Sequence, residues 1–173
     1  MIAQVDAEAE NSKATAQEQG VSGYPTIKYF PKGSSTPQDY DGGRSEEAII
    51  TFLNEKAGTH RAPGGGYSAT GGINAALDAI VEKYISAKDG LASGLDELKA
   101  AATGEKNDQF AEYYTKVASK AAANTEYVQK ELKRLEGMLK KGGLAPEKRD
   151  TLTARSNILR KFQSLMSTEK TEL

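Results

Sequence analysis

The sequence predicts an α+β chain in two parts: a short mixed α/β segment over residues 1–57, then a five-helix all-α domain over residues 73–167. Three observations carry that reading. The strand-like runs, rich in β-branched and aromatic residues, fall before residue 58. Residues 58–72 hold six glycines and almost no apolar bulk, which reads as a flexible linker, with a long ordered loop as the alternative. Beyond them, apolar residues recur at spacings of three and four, the period of an amphipathic helix.

In the first part, Ile2-Ala-Gln-Val5 is a short strand candidate. Asn11 to Gln19 is rich in helix formers, and Gly20 supplies a stop. Thr26-Ile-Lys-Tyr-Phe30 reads as a strand, Pro31 to Pro37 as a hairpin loop, and Gln38 to Asp41 as the returning strand. Ser45 is a good N-cap, with Glu46 and Glu47 placed where the helix dipole favours negative charge. Ala48, Ile49, Phe52 and Leu53 form the stripe of the helix that follows.

In the second part, Ile73, Leu77, Ile80, Val81, Tyr84 and Ile85 make one apolar face. Leu91, Leu95, Leu98 and Ala102 make a second, ending at Gly104. Phe110, Tyr113, Tyr114, Val117 and Ala121 make a third; Val128, Leu132, Leu135 and Leu139 make a fourth. Lys140-Lys141 followed by Gly142-Gly143 is a strong stop, and Pro146 suits the first turn of the last helix. That helix turns Leu152, Leu159, Phe162 and Met166 inward, with Ile158 and Leu165 alongside. No single helix can bury its stripe alone, so the bundle is the expected unit of stability.

Composition excludes several chemistries. Lys+Arg 23 against Asp+Glu 24 gives a net charge of -1, which does not point to nucleic acid or an anionic membrane surface. No apolar run approaches the roughly 20 residues of a membrane span. His60 is the one histidine and lies in the glycine-rich stretch, so neither a histidine base nor a metal cluster can be assembled around it. Gly64-Gly-Gly66 is not followed by the Gly-Lys-Ser/Thr of a phosphate loop. Lys130, Lys133, Arg134, Lys140 and Lys141 alternate with Glu131 and Glu136, the pattern of a solvated face. Tyr113 and Tyr114 suit the core or rim of the bundle, or, if exposed, a client-binding aromatic pair. The chain has 0 cysteines, so no side chain can supply the thiolate that disulfide exchange requires. No catalytic residue, cofactor or metal site is assigned.

Residues 1–57 resemble the second half of a thioredoxin-like domain of the protein disulfide isomerase family. The stretch Gln19-Gly-Val-Ser-Gly-Tyr-Pro-Thr-Ile-Lys-Tyr-Phe-Pro-Lys-Gly33 carries this, with Ile2 to Ala7 before it and Tyr40-Asp-Gly-Gly-Arg44 after it. The helical part is similar to the D-type domain at the carboxyl end of one disulfide isomerase subfamily, through Tyr127 to Leu132, the Gly142-Gly143 turn and Arg155 to Phe162. Residues 168–173 form a tail whose Lys170, Thr171, Glu172 and Leu173 resemble a Lys-Asp-Glu-Leu retrieval signal.

The resemblance implies a folding factor of the endoplasmic reticulum lumen whose partners are unfolded or folding client proteins and a retrieval receptor. It also implies that Gly23, Tyr24 and Pro25 form the loop where the family holds a cis proline against an extended peptide; a trans Pro25 is the alternative. In the family a strand, a helix and a second strand lead into a Cys-Gly-His-Cys turn; here that unit is missing, so an amino-terminally truncated, redox-inactive chain is expected. The missing strand should separate residues 2–5 from 26–30. The first segment is therefore expected to be partly disordered, rearranged, or completed by a strand from a partner chain or a homo-oligomer. A non-enzymatic secretory chaperone and a helical interaction module are the alternative readings.

Overall fold

The computed structural model describes residues 2–87, 90–106 and 108–168. The chain divides into two compact units, Met1–Lys56 and Ala57–Leu173.

The first unit contains α1 (Lys13–Glu18), β1 (Lys28–Tyr29), β2 (Gln38–Asp39) and most of α2 (Glu46–Ala57). The expected helix over residues 11–19 is shorter, and Gly20, at φ +65°, reverses the chain so that the Val21 amide bonds to the Ala16 carbonyl at 2.9 Å. β1 and β2 pair antiparallel, Lys28 opposite Asp39 and Tyr29 opposite Gln38, as the turn residues between them predict. Ser45 caps α2, its Oγ accepting from the Ala48 amide at 3.2 Å. Tyr29 and Tyr40 both pack on Phe52, with ring centroids 5.6 and 4.7 Å away. Gly42 is required there, because a Cβ would sit 2.6 Å from the Tyr40 hydroxyl oxygen.

Residues 2–5 were expected to form a strand and do not. They make no backbone hydrogen bond among the described residues, and Ile2 is 91% exposed. A strand is stable only beside another, and these residues pair with neither strand of the sheet.

The second unit holds α3 (Ala75–Ile85), α4 (Gly90–Ser93), α5 (Leu95–Gly104), α6 (Ala111–Ala123), α7 (Tyr127–Lys141) and α8 (Pro146–Thr168). Every buried hydrophobic side chain among the described residues lies here, between Leu77 and Phe162. The predicted stripes are the core: Leu77, Val81 and Ile85 of α3, Tyr114 and Val117 of α6, Val128 and Leu135 of α7, and Ile158, Leu159 and Phe162 of α8. α3 begins at Asn74, whose side chain accepts from the Ala76 and Leu77 amides at 3.0 and 3.1 Å. Gly142 and Gly143, at φ +70° and +69°, stop α7, and Pro146 opens α8 as expected.

Two expectations are corrected. The helical unit has six helical segments rather than five, making eight in all among the described residues. The apolar period runs unbroken through Leu91, Leu95 and Leu98, but the helix breaks between α4 and α5. Gly94 lies so close to Tyr84 that a Cβ would fall 2.2 Å from its ring.

The second correction concerns residues 58–72, which are not a free linker. Arg61 bridges antiparallel to Tyr67, stacks its guanidinium 4.6 Å from that ring, and bonds to Asp150 of α8. Asn157 donates to the Ser68 and Gly71 carbonyls at 2.9 and 3.0 Å. A Cβ on Gly72 would fall 2.6 Å from the Cβ of Ala154. Several of these glycines therefore permit close approach, not flexibility.

Candidate polypeptide-binding loop

The predicted loop residues Gly23, Tyr24 and Pro25 sit together in the first unit, just before β1. The Tyr24–Pro25 bond is cis. The Thr26 hydroxyl donates to the Gly23 carbonyl at 2.6 Å and closes the turn from behind. An Arg44 guanidinium nitrogen lies 3.4 Å from the Pro25 carbonyl, a long bond that ties the loop to the chain just ahead of α2. Tyr24 is held out, 63% exposed, at the border of a shallow depression of about 510 Å³ that Lys13, Ala16 and Val21 also line.

Among the described residues, the strand beyond the loop pairs on one side only. The Tyr40 amide donates to the Ile27 carbonyl at 3.0 Å, so Ile27 faces β2. Alternation along an antiparallel strand then turns the Lys28 amide and carbonyl away from β2. Ile27 and Phe30 flank that position, 36% and 49% exposed. Lys28 is neutralised by Asp39, its Nζ 2.5 Å from the carboxylate. Such an arrangement can take an extended polypeptide through backbone hydrogen bonds, with apolar side chains on either side of it.

Thr26 and Arg44 went unassigned in the sequence reading. Arg44 stood in the Tyr40 to Arg44 run without a role, and only the fold brings it to Pro25. The expected retrieval residues Lys170, Thr171, Glu172 and Leu173 lie outside the described residues.

The second unit places its polar chemistry inside. Tyr113 and Tyr114 are not an exposed pair; they are 8% and 0% exposed. The Tyr114 hydroxyl donates to Asp78 at 2.8 Å and accepts from the Asn74 amide at 3.0 Å, and Asn74 Nδ2 donates to Asp108 at 3.0 Å. Burial pushes the Asp78 carboxyl above the ordinary aspartate range, against the opposing pull of the Tyr114 hydroxyl and Lys161. Burial likewise pushes both tyrosine hydroxyls well up. These groups knit α3 to α6. Among the described residues no group of three or more His, Asp or Glu side chains is placed to hold a metal ion, and no helix is long and apolar enough to cross a membrane.

Two segments of thioredoxin-like and all-helical character, in this order, define a class in which a helical domain follows a thioredoxin-type fold. Residues 72–162 match the family of the endoplasmic reticulum protein ERp29, C-terminal domain, and residues 1–55 match thioredoxin. The chain belongs to the ERp29 C-terminal domain family, in the setting of the protein disulfide isomerases. It is 53% identical, over 99% of its length, to protein disulfide-isomerase erp38 of Neurospora crassa. It is 57% identical, over 100% of its length, to protein disulfide-isomerase tigA of Aspergillus niger, and 36% identical over 95% to protein disulfide isomerase-like 2-2 of Oryza sativa subsp. japonica. The chain spans just under half the length of these relatives, 47%, 46% and 44% respectively.

Proposed function

We propose that this chain is part of a protein disulfide isomerase of the endoplasmic reticulum lumen and serves protein folding there by binding clients, without exchanging their thiols. The observation that carries the reading is the likeness to disulfide isomerases along the whole chain, in a sequence with 0 cysteines. Electron exchange with a client disulfide needs a thiolate, and none is available. The loop Gly23, Tyr24 and Pro25 beside the open edge of β1 supports a role in holding extended polypeptide. Binding there should be weak, because the edge is short. The tail Lys170 to Leu173 supports retrieval to the endoplasmic reticulum through a receptor.

Two assays on the full chain test this. Insulin reduction should not exceed buffer; turnover above buffer sinks the reading. The chain should slow aggregation of an unfolded client, and Tyr24→Ala should weaken that effect severalfold, since Tyr24 is exposed and supports no core.

A second reading, a non-enzymatic chaperone acting through its helical domain, is favoured by the concentration of the whole buried core in the unit that matches the ERp29 family. Under it, aggregation suppression persists unchanged in Tyr24→Ala.

A further inference from the structure

Sulfur in this chain is confined to its methionines, because it has 0 cysteines. Met138 and Met166 both lie half-buried against the helical core, on α7 and α8. They differ in what meets the sulfur. Arg134, one turn back on α7, donates from Nη1 to the Met138 sulfur at 3.3 Å. The same guanidinium is fixed from its other side, Nε and Nη2 each reaching a Glu131 oxygen at 2.7 Å. Its side chain is 57% exposed, so small solutes reach this part of α7. Among the described residues no hydrogen bond reaches the Met166 sulfur.

We propose that Met138 is a site of reversible oxidation, at which a peroxide converts the thioether to a sulfoxide and Arg134 holds the new oxygen. One sulfur lone pair attacks the nearer peroxide oxygen, and the S–O bond forms as the O–O bond breaks. Sulfur gives up two electrons and the peroxide takes them. The proton on the delivered oxygen passes to the departing hydroxide, which leaves as water. A thioether is a weak acceptor, so the guanidinium gains little from it before this step. Afterwards the N–H···S contact becomes a charge-assisted N–H···O bond, while Nε and Nη2 keep Glu131. At Met166 the same oxygen meets no such donor, and a polar group pressed unpaired against apolar core is costly. Position thus decides which oxidation the fold absorbs and which one disrupts it. This inference goes beyond the function proposed above and does not depend on it, since a thioether accepts an oxygen atom but exchanges no disulfide.

The test treats the full chain with dilute hydrogen peroxide. Peptide mass mapping places the added oxygen, and urea unfolding followed by far-UV circular dichroism reads its consequence. Met166→Leu and Met138→Leu each leave one of the two half-buried thioethers; both exchange residues of similar volume, so both variants fold. In Met166→Leu, oxygen should appear at Met138 and methionine sulfoxide reductases should remove it, with the unfolding constant changed by less than about twofold. Adding Arg134→Ala to that variant should raise the cost of the same oxidation to about tenfold in the unfolding constant, the worth of a lost hydrogen bond to a charged group. In Met138→Leu, oxidation at Met166 should cost the same with or without Arg134→Ala. Met138 left intact while free methionine in the same solution is consumed overturns the inference. So does an oxidation at Met138 whose effect is equal with and without Arg134, because the guanidinium would then not be holding the oxygen.

Discussion

Aromatic contacts of similar geometry have different consequences in the two units. In the helical unit the rings of Tyr114 and Phe162 lie 5.9 Å apart, both 0% exposed. In the first unit Phe52 touches Tyr29 and Tyr40 at comparable distances, yet all three rings are only half-buried. A ring pair is not a core. Burial needs elements on every side, and six helical segments supply them where two strands and two helices do not. Stability should therefore sit in one unit, whereas exposed backbone and apolar surface sit in the other.

The sharpest way to break that contrast is to truncate one ring in each unit. Phe162→Ala should cost the helical unit about 3–5 kcal/mol, by lost transfer energy and an unfilled cavity. Phe52→Ala should cost the first unit about 1–2 kcal/mol, in keeping with its half-burial. Urea unfolding followed by far-UV circular dichroism reads both; equal losses would end the comparison. A second test addresses the strap over residues 58–72. Asn157→Ala removes two hydrogen bonds to buried or half-buried carbonyls, at Ser68 and Gly71, and should cost about 2–3 kcal/mol. Hydrogen exchange should then quicken at Gly71 and Ile73 before it does in α6.

The third test is electrostatic. Because the Asp78 carboxyl is raised in the fold, the folded chain keeps a proton at pH values where the unfolded chain has released it. Over that interval the stability of the helical unit falls as pH rises, and above it the cost stays constant. Glu131, lowered by Arg134, contributes the opposite slope below the ordinary glutamate range. The difference between variant and parent isolates Asp78. Asp78→Asn keeps an acceptor for Tyr114 and removes the charge, so it should gain on the parent as pH increases through the window. A gain that does not vary with pH would refute the assignment. The smallest effect expected is Ser45→Ala, about 1 kcal/mol, confined to the first unit through the lost cap on α2.

Much of the helical unit was legible because apolar period and core coincide: Leu77, Val117, Leu135 and Phe162 were read inward and are inward. Its ends were legible where backbone chemistry is local, as at Gly142, Gly143 and Pro146. Asn74 could also have been found, since an asparagine ahead of a helix-forming run is an N-cap signal. What failed depended on contacts distant in sequence. Gly94 is dictated by Tyr84 and Gly72 by Ala154, and neither neighbour marks the glycine itself. The same blindness applies to the loop: Gly23, Tyr24 and Pro25 stood out as a motif, while the bond from Arg44 to Pro25 crosses the whole hairpin. The strand expected at residues 2–5 failed for another reason. Strand propensity reports fitness for a sheet, not the presence of one.

The anchoring of Asn157 to Ser68 and Gly71 changes where the helical module begins. The recognisable family match starts at residue 72, but the folded body starts at Ala57. A version trimmed to the match would lose Tyr67 from beside Phe110 and leave the Asn157 amide and Asp150 without their partners. The boundary that similarity draws and the boundary that mechanics draws differ by about one turn of chain wrapped around the outside. Dissection of relatives at the shorter limit would weaken the very piece it means to isolate.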